Sequence, residues 1–494
     1  MAQFGKKLAE AKIWLKPNME TLQRTANRGS VSTGYDIDNS VKLEADNVEF
    51  MDRTISTTGN RKTWTYSGWI KRTEISFAGD GFGHTFFMGG AYGSEACLFR
   101  FNTGTTAATL DTLQIDIGDG GTQNRSHTSQ VFRDTSAWYH IVLAVDTTQS
   151  TATDRFKLYV NGELVTSYYS RNNPTQNFDT SNNYQSSGYV NNVGAYKSGG
   201  TIYGKFSGYI AESYNIDGSA LEPTAFGEFD EDSGIWKPKK YTGSFPNNSW
   251  YLKFDDSGAL GADSSGNSYT FTLNNITSAD QATDTPTNNF ATINTLPLYN
   301  QGTFSFPNGA TEIKRSDGGG DGWTCVFSTM AVNKGKWYAE MEVLESPSYT
   351  MYGYTTVAYL QSLNFPQFYL GTTAASAGYY SNGDGTNDSI YEGDAYPSAG
   401  VQSSAGTIIG IAIDCDNNKI HFSNNGTYTN SSNPATNTNG FAIPDDYVYF
   451  AQSSLTGAKT YKTNLGGYTT DSISSAASDA NGYGTFEYAP PSGY

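Results

Sequence analysis

Residues 137–165, AWYHIVLAVDTTQSTATDRFKLYVNGELV, constrain the fold more tightly than any other stretch of the chain. Trp138, His140, Val142 and Ala144 alternate with Tyr139, Ile141, Leu143 and Val145, so neither side is polar. A run apolar on both faces belongs in the middle of a sheet that is covered on both sides. Residues 147–154 are a polar connection. Phe156, Leu158 and Val160 then alternate with Arg155, Lys157 and Tyr159, the period of a half-exposed strand. Asn161-Gly162 closes the unit with the pair that best tolerates the two positive φ angles of a type I′ hairpin turn.

The same unit recurs at 406–427, GTIIGIAIDCDNNKIHFSNNGT. Ile408, Ile409, Ile411 and Ile413 form the buried run, Asp414 to Asn418 the turn, and Lys419 to Phe422 the return, ending at Asn424-Asn425-Gly426. Two all-β halves follow from this repeat. With 494 residues the chain has room for two or three domains. Its abundant Gly, Ser, Thr and Asn suit short strands joined by turns. Tyr (35) outnumbers Lys plus Arg (31). That excess suits a contact surface, and equally the preference of strands for aromatic residues.

A net charge of −17 argues against general binding to nucleic acid or to anionic membranes, both of which need basic surfaces. Cys97, Cys325 and Cys415 are scattered and match neither a metal spacing nor a disulfide framework. No apolar run is long enough to span a bilayer. Lys6-Lys7 is not followed by an apolar core, which predicts synthesis in a reducing cytoplasm without a secretory signal.

Composition divides the chain into an arm (1–31), a sandwich (32–230), an ordered connector (231–290) and a second sandwich (291–494). In the arm, Phe4, Leu8, Ala11, Trp14 and Leu15 make a helical stripe that Pro17 stops. Lys6, Lys7, Lys12, Lys16, Arg24 and Arg28 face only Glu10 and Glu20 there, so a basic helix precedes an acidic body. Phe4, Lys6, Lys7, Leu8, Lys12, Trp14 and Leu15 are the residues expected to anchor it to another protein. In 64–71, Trp64, Tyr66 and Gly68 alternate with Thr65, Ser67 and Trp69. The polar stretch 167–200 is long enough to be a functional or disordered loop. The connector, rich in aromatics from Trp236 to Ile276, is expected to pack between the halves.

SGWIK, SAWYHIVLAVD…RFKLYVNGEL and FSGYIAESYNIDG together resemble the laminin G-like, concanavalin A-like jelly roll over about residues 35–230. GKWYAEMEV, GTIIGIAIDCDNNKIHFSNNG and YVYFAQSS resemble the SPRY β-sandwiches. The fold expected is therefore all-β: two antiparallel sandwiches, concanavalin A-like then SPRY-like, behind a short helical arm. The phrases GNRKTWTYSGWIKR, FGEFDEDSGIWKPKKYTG and DTPTNNFATIN, with this domain pairing, resemble proteins of marine tailed phages. That resemblance implies a fibre-type virion protein, assembled in the host cytoplasm and docked on tail or capsid proteins. Its loops would meet a host glycan or protein. A homo-oligomer, such as a trimer, is the usual state of such fibres. A secreted carbohydrate-binding protein is the first alternative, and a polysaccharide depolymerase the second.

Because some concanavalin A-like folds cleave glycans, carboxylate pairs matter. Such enzymes hold an acid and a nucleophile about 5 Å apart. Glu228, Asp230 and Asp232 share one side if extended, but they sit in an apparent turn, and an acidic solvated turn is the preferred reading. Glu340 and Glu342 also alternate and are expected on a solvent face. His84, His127, His140 and His421 are isolated, with the latter two inside strands as satisfied polar groups. No catalytic residue and no cofactor are expected. The laminin G resemblance leaves room for a calcium ion on Asp119, or on Asp80 with Asp111. Sugar-stacking candidates are Tyr168, Tyr169 and Tyr184 in the first half and Tyr349, Tyr352, Tyr354, Tyr379 and Tyr380 in the second.

Overall fold

The computed structural model describes residues 34–494 except 76–81, 92–95, 104–105, 120, 199, 297–303, 317–321, 346–347, 363–368, 383–385, 387, 394–396, 456–457 and 468–472. The helical arm, with Phe4, Lys6, Lys7, Leu8, Lys12, Trp14 and Leu15, lies outside the described residues, as does Asp80.

The first sandwich begins with β1 (Ser40–Leu43), β2 (Phe50–Thr54), β3 (Thr63–Arg72), β4 (His84–Gly90) and β5 (Cys97–Phe101). It continues through β6 (Thr112–Gly118), β7 (Gln123–Val131), β8 (Trp138–Asp146), β9 (Phe156–Val160) and β10 (Glu163–Leu164). β11 (Tyr168–Ser170), β12 (Val190–Val193), the hairpin β13 (Tyr196–Ser198) and β14 (Thr201–Tyr203), and β15 (Gly208–Asp217) follow. One sheet has the order β10-β9-β8-β3-β15-β1 and the other β11-β7-β6-β5-β4-β12-β2. Tyr139, Ile141, Leu143 and Val145 of β8 face the core with Trp64 and Tyr66 of β3. Asn161 (φ 49°) and Gly162 (φ 81°) make the hairpin turn in the expected left-handed conformation.

The polar stretch 167–200 is not a loose loop. It supplies β11 and β12, and between them Thr180, Ser181, Asn182 and Asn183 are fully buried. Its asparagines are the reason: their amides satisfy one another inside the sandwich. Asn182 Nδ2 donates to Asn215 Oδ1 (2.9 Å), Asn191 Nδ2 to Asn182 Oδ1 (3.1 Å) and Asn215 Nδ2 to Asn183 Oδ1 (3.0 Å). A fully paired polar network can replace apolar core at modest cost.

The connector is ordered, but it wraps the first sandwich. β16 (Gly227–Phe229) and β17 (Trp236–Pro238) form a hairpin, while β18 (Trp250–Leu252) joins β15, β19 (Thr272–Asn274) joins β2, and β20 (Gln281–Ala282) joins β1. It covers the outer face of β8. His140 lies between the rings of Trp69 (4.6 Å) and Trp236 (5.9 Å). Its Nδ1 accepts from Trp236 Nε1 (3.0 Å), which leaves Nε2 to carry the proton toward Ser67 Oγ (2.9 Å). Burial pushes the imidazole down to about 3.

The end of the connector is locked by Lys71. Its Nζ pairs with Asp284 (2.6 Å) and donates to Asn289 Oδ1 (2.8 Å) and the Phe290 carbonyl (2.7 Å). Trp138 Nε1 donates to the other Asp284 oxygen (2.9 Å).

The second sandwich comprises β21 (Phe304–Ser305), β22 (Glu312–Arg315), β23 (Thr324–Phe327), β24 (Lys336–Val343), β25 (Thr350–Thr356), β26 (Ser376–Ser381) and β27 (Ser389–Glu392). β28 (Ile408–Asp414), β29 (Lys419–Asn424), β30 (Thr427–Tyr428), β31 (Phe441–Ala442), β32 (Val448–Ser454) and β33 (Lys459–Asn464) complete it. Its sheets run β21-β22-β33-β24-β28-β29-β30 and β23-β32-β25-β26-β27. Ile409, Ile411 and Ile413 fill the core between them. Glu340 departs from the expected solvent face. It is buried and accepts the backbone N–H groups of Glu487 and Tyr488 (both 2.8 Å), so it pins the C-terminal segment.

Two tests follow. Asp284→Ala leaves Lys71 buried without its partner, which should cost about 3–5 kcal/mol and lower the urea midpoint of the first sandwich, read by tryptophan fluorescence. An unchanged midpoint would remove the lock from the argument. Neutral His140 is favoured in the folded state, whereas the unfolded imidazole takes up a proton below its ordinary 6.5. Its contribution is therefore present above that pH and lost as pH falls toward 3. The stability difference between the wild type and His140→Gln should shrink over that window.

Candidate functional site

A group of half-buried aromatic side chains gathers on the outer face of β23-β32-β25-β26-β27. The register explains why. One cross-strand row reads Phe327, Ala451, Gly353, Gly378, Tyr391, which places the three smallest residues side by side in the middle. These residues leave a trough. A Cβ on Gly378 would come 2.9 Å from Leu370 Cβ, because Leu370 fills the trough and is fully buried. The Leu370 N–H donates to Ser453 Oγ (3.3 Å) and the Gly371 N–H to Ser376 Oγ (2.9 Å), which ties this strap across the sheet. Gly371 has φ 83° and would meet Tyr391 with any side chain.

Four rings surround the plug in a closed circuit. Trp323 meets Tyr369 (5.1 Å, 43°), Tyr369 meets Tyr391 (6.5 Å, 81°), Tyr391 meets Tyr380 (4.9 Å, 66°), and Tyr380 meets Trp323 (6.2 Å, 54°). Cys325, Met351 and Ala451 lie beneath them. Inclined, half-buried rings of this kind offer apolar faces and polar tips together, as sugar- and cation-binding surfaces do.

Tyr380 is the one sugar-stacking candidate that lies in this circuit. Tyr352, Tyr354 and Tyr379 must be set aside, because all three are buried in the core and present no face to a ligand. Tyr379 is occupied there: its hydroxyl donates to Asp388 Oδ2 (2.9 Å) and accepts from Asn424 Nδ2 (3.1 Å). Tyr349 is half exposed outside the circuit. In the first half, Tyr168 packs against Phe156 (6.3 Å) with the Arg171 guanidinium 4.8 Å over its ring, and Tyr169 beside it is 58% exposed on the edge strand β11. Tyr184 lies in the cap ahead of β12, with Arg61 stacked 3.9 Å above it. Trp323, Tyr369 and Tyr391 escaped the sequence reading. The inward Ile390 next to Tyr391 was the available signal for an outward ring.

The acidic candidates have structural work. Asp230 accepts from the Ser233 N–H and hydroxyl (both 2.9 Å) and pairs with Lys237 (3.2 Å), which holds its carboxyl at about 2. A general acid needs the opposite shift. Glu228 pairs at 3.7 Å with both Lys237 and Lys239, and Asp232 is exposed in the turn. Of the calcium candidates, Asp111 is held by Arg72 (3.3 Å) and Arg133 (2.7 Å), and Asp119 accepts the N–H groups of Gly121 and Thr122. Among the described residues, no three His, Cys, Asp or Glu side chains converge to hold a metal ion.

Residues 42–212 match the family model described as the concanavalin A-like lectin/glucanases superfamily, of the laminin G type. Among solved structures, the SPRY domain of human HERC1 is 16% identical, with 32% of this chain and 91% of that chain covered and a TM-score of 0.26. A protein from Bacteroides ovatus, provisionally described as carbohydrate-binding, is 17% identical with a TM-score of 0.33. That match covers 49% of this chain and 59% of the other. No curated protein matches the chain.

Gly378→Ala should push Leu370 off the trough and cost about 1–3 kcal/mol of second-sandwich stability, with loss of near-ultraviolet circular dichroism from the ring circuit. An unaltered aromatic signal would show that the strap does not depend on the trough.

Proposed function

We propose that this chain is a carbohydrate-binding structural protein of a bacteriophage particle, of the fibre type, which binds a host-surface glycan without turning it over. The circuit of Trp323, Tyr369, Tyr391 and Tyr380 carries the reading, because aromatic faces backed by a rigid sheet are what a sugar ring's apolar side requires. The first half supports it through its match to a superfamily whose description names lectins. The acidic groups best spaced for glycan cleavage are engaged in a turn and in lysine pairs, which favours binding over hydrolysis. The particle assignment rests on the domain pairing and connecting phrases that resemble phage proteins, with the basic residues 1–31 as the anchor. The particle's tail or capsid and further copies of this chain are its partners in this reading.

Binding of the purified protein to immobilised host envelope polysaccharide should weaken at least tenfold in Trp323→Ala and in Tyr391→Ala, with the fold retained by circular dichroism. Undiminished binding in both would move the site elsewhere. Mass spectrometry of gradient-purified particles should find the chain, and a deletion of residues 1–31 should be missing from them. A chain absent from particles would end the virion assignment.

A further inference from the structure

The stretch Asp284-Thr285-Pro286-Thr287-Asn288-Asn289 closes on itself, because the Thr285 and Asn288 backbones exchange N–H···O bonds (both 3.1 Å). Its first and last residues therefore meet at one amine. Lys71 Nζ donates to Asp284 Oδ2 (2.6 Å) and to Asn289 Oδ1 (2.8 Å). Asn289 Nδ2 donates to the Ser136 carbonyl (2.8 Å), which turns the carbonyl side of the amide toward the amine. A nucleophile, a carboxylate that touches it and an amide carbonyl are thus held together before any bond is made.

The surroundings are apolar. Lys71 and Asp284 are buried, and the Tyr209 ring centroid lies 5.7 Å from Nζ. Trp138 donates Nε1 to Asp284 Oδ1 (2.9 Å) and packs on Tyr209 (6.3 Å). Burial lowers the amine and raises the carboxyl, so both partners move toward the neutral pair. A neutral amine has the lone pair that an ammonium lacks. Lys42 has the same kinds of neighbour, Asp280 (3.4 Å) and Asn308 (3.3 Å), but both contacts are longer. The Asn308 amide there donates to the Glu312 carboxylate (2.7 Å).

We propose that Lys71 and Asn289 join in an intramolecular amide bond, formed by the folded chain itself with Asp284 as the proton carrier. Asp284 takes a proton from Nζ, and the Nζ lone pair attacks Asn289 Cγ. Asp284 then returns that proton to Nδ2 and takes a second one from Nζ. The Cγ–Nδ2 bond breaks, ammonia leaves, and a secondary amide remains beside a protonated Asp284. No oxidant or cofactor enters the balance. The three cysteines are free and buried, whereas this bond needs no oxidising compartment. It would fasten the end of the connector to β3 and close the chain between residues 71 and 289 into a loop. The proposal is independent of the carbohydrate-binding reading.

The test is intact-mass spectrometry of the folded, purified full chain, run under denaturing conditions. The wild type should be lighter than its sequence by one ammonia. Trypsin should leave a branched peptide that joins Lys71 to Asn289 and resists hydroxylamine, which opens a succinimide of the same mass. Asn289→Ala keeps the Lys71–Asp284 pair and should show the full mass, as should Lys71→Arg, which keeps the charge, and Asp284→Asn, which removes the proton carrier. A wild type of full mass would overturn the proposal and leave a plain buried ion pair. Loss of water instead of ammonia would overturn it by placing the bond on Asp284. Ammonia loss that persists in Asn289→Ala, or a branched peptide at Lys42 and Asn308, would overturn it as well.

Discussion

The buried pair between Lys71 and Asp284 is the contact on which the arrangement of the molecule depends. Lys71 is fully buried on the outer side of a central strand, and an ammonium there is tolerable only with its partners in place. Those partners are Asp284, Asn289 and the Phe290 carbonyl, so one side chain fixes the last turn of the connector. From that fixed point the chain enters the second sandwich. Thr295 Oγ1 donates to the Thr73 carbonyl (2.6 Å), Tyr209 to the Gly309 carbonyl (3.1 Å), and Lys42 to Asn308 Oδ1 (3.3 Å). The two halves are thus joined by directed polar contacts at one edge of the first sandwich.

Each sandwich faces the same problem: a sheet has two faces and the facing sheet covers only one. The first half solves it with Phe226 and, from the connector, Trp236, which lie over β8 and enclose His140 so fully that burial favours its neutral imidazole. The second half lays the chain around Leu370 over its five-stranded sheet. Among the described residues, Leu370 inserts into a trough of two glycines and an alanine, Tyr359 and Leu360 pack beside it, and Trp323, Tyr369, Tyr380 and Tyr391 lie half-buried around it. The candidate site is built around that inserted side chain, and larger residues in the trough would exclude it.

Much of the fold was legible in the residues themselves. The doubled apolar alternation of 138–145 implied a strand covered on both sides, and both sides are covered. Asn161-Gly162 implied a left-handed turn, which follows from the small cost of positive φ at those two residues. The candidate site was less legible. Tyr352 and Tyr380 look alike in sequence, each in a short aromatic alternation, yet one is core and the other lies in the ring circuit. Tyrosine is amphipathic enough to be satisfied in either place, so its chemistry does not choose. Glu340 likewise follows a polar alternation but finds two backbone donors from residues almost 150 positions away.

Local alternation and turn chemistry therefore determined which segments are strands, because those preferences act between residues a few positions apart. Tertiary structure decided which face of each strand is outer, and what packs against it. That decision depends on segments distant in the chain, the connector in one half and the Leu370 strap in the other. Their docking is set by complementary volume and by single buried polar contacts, which leave no periodic trace in the sequence.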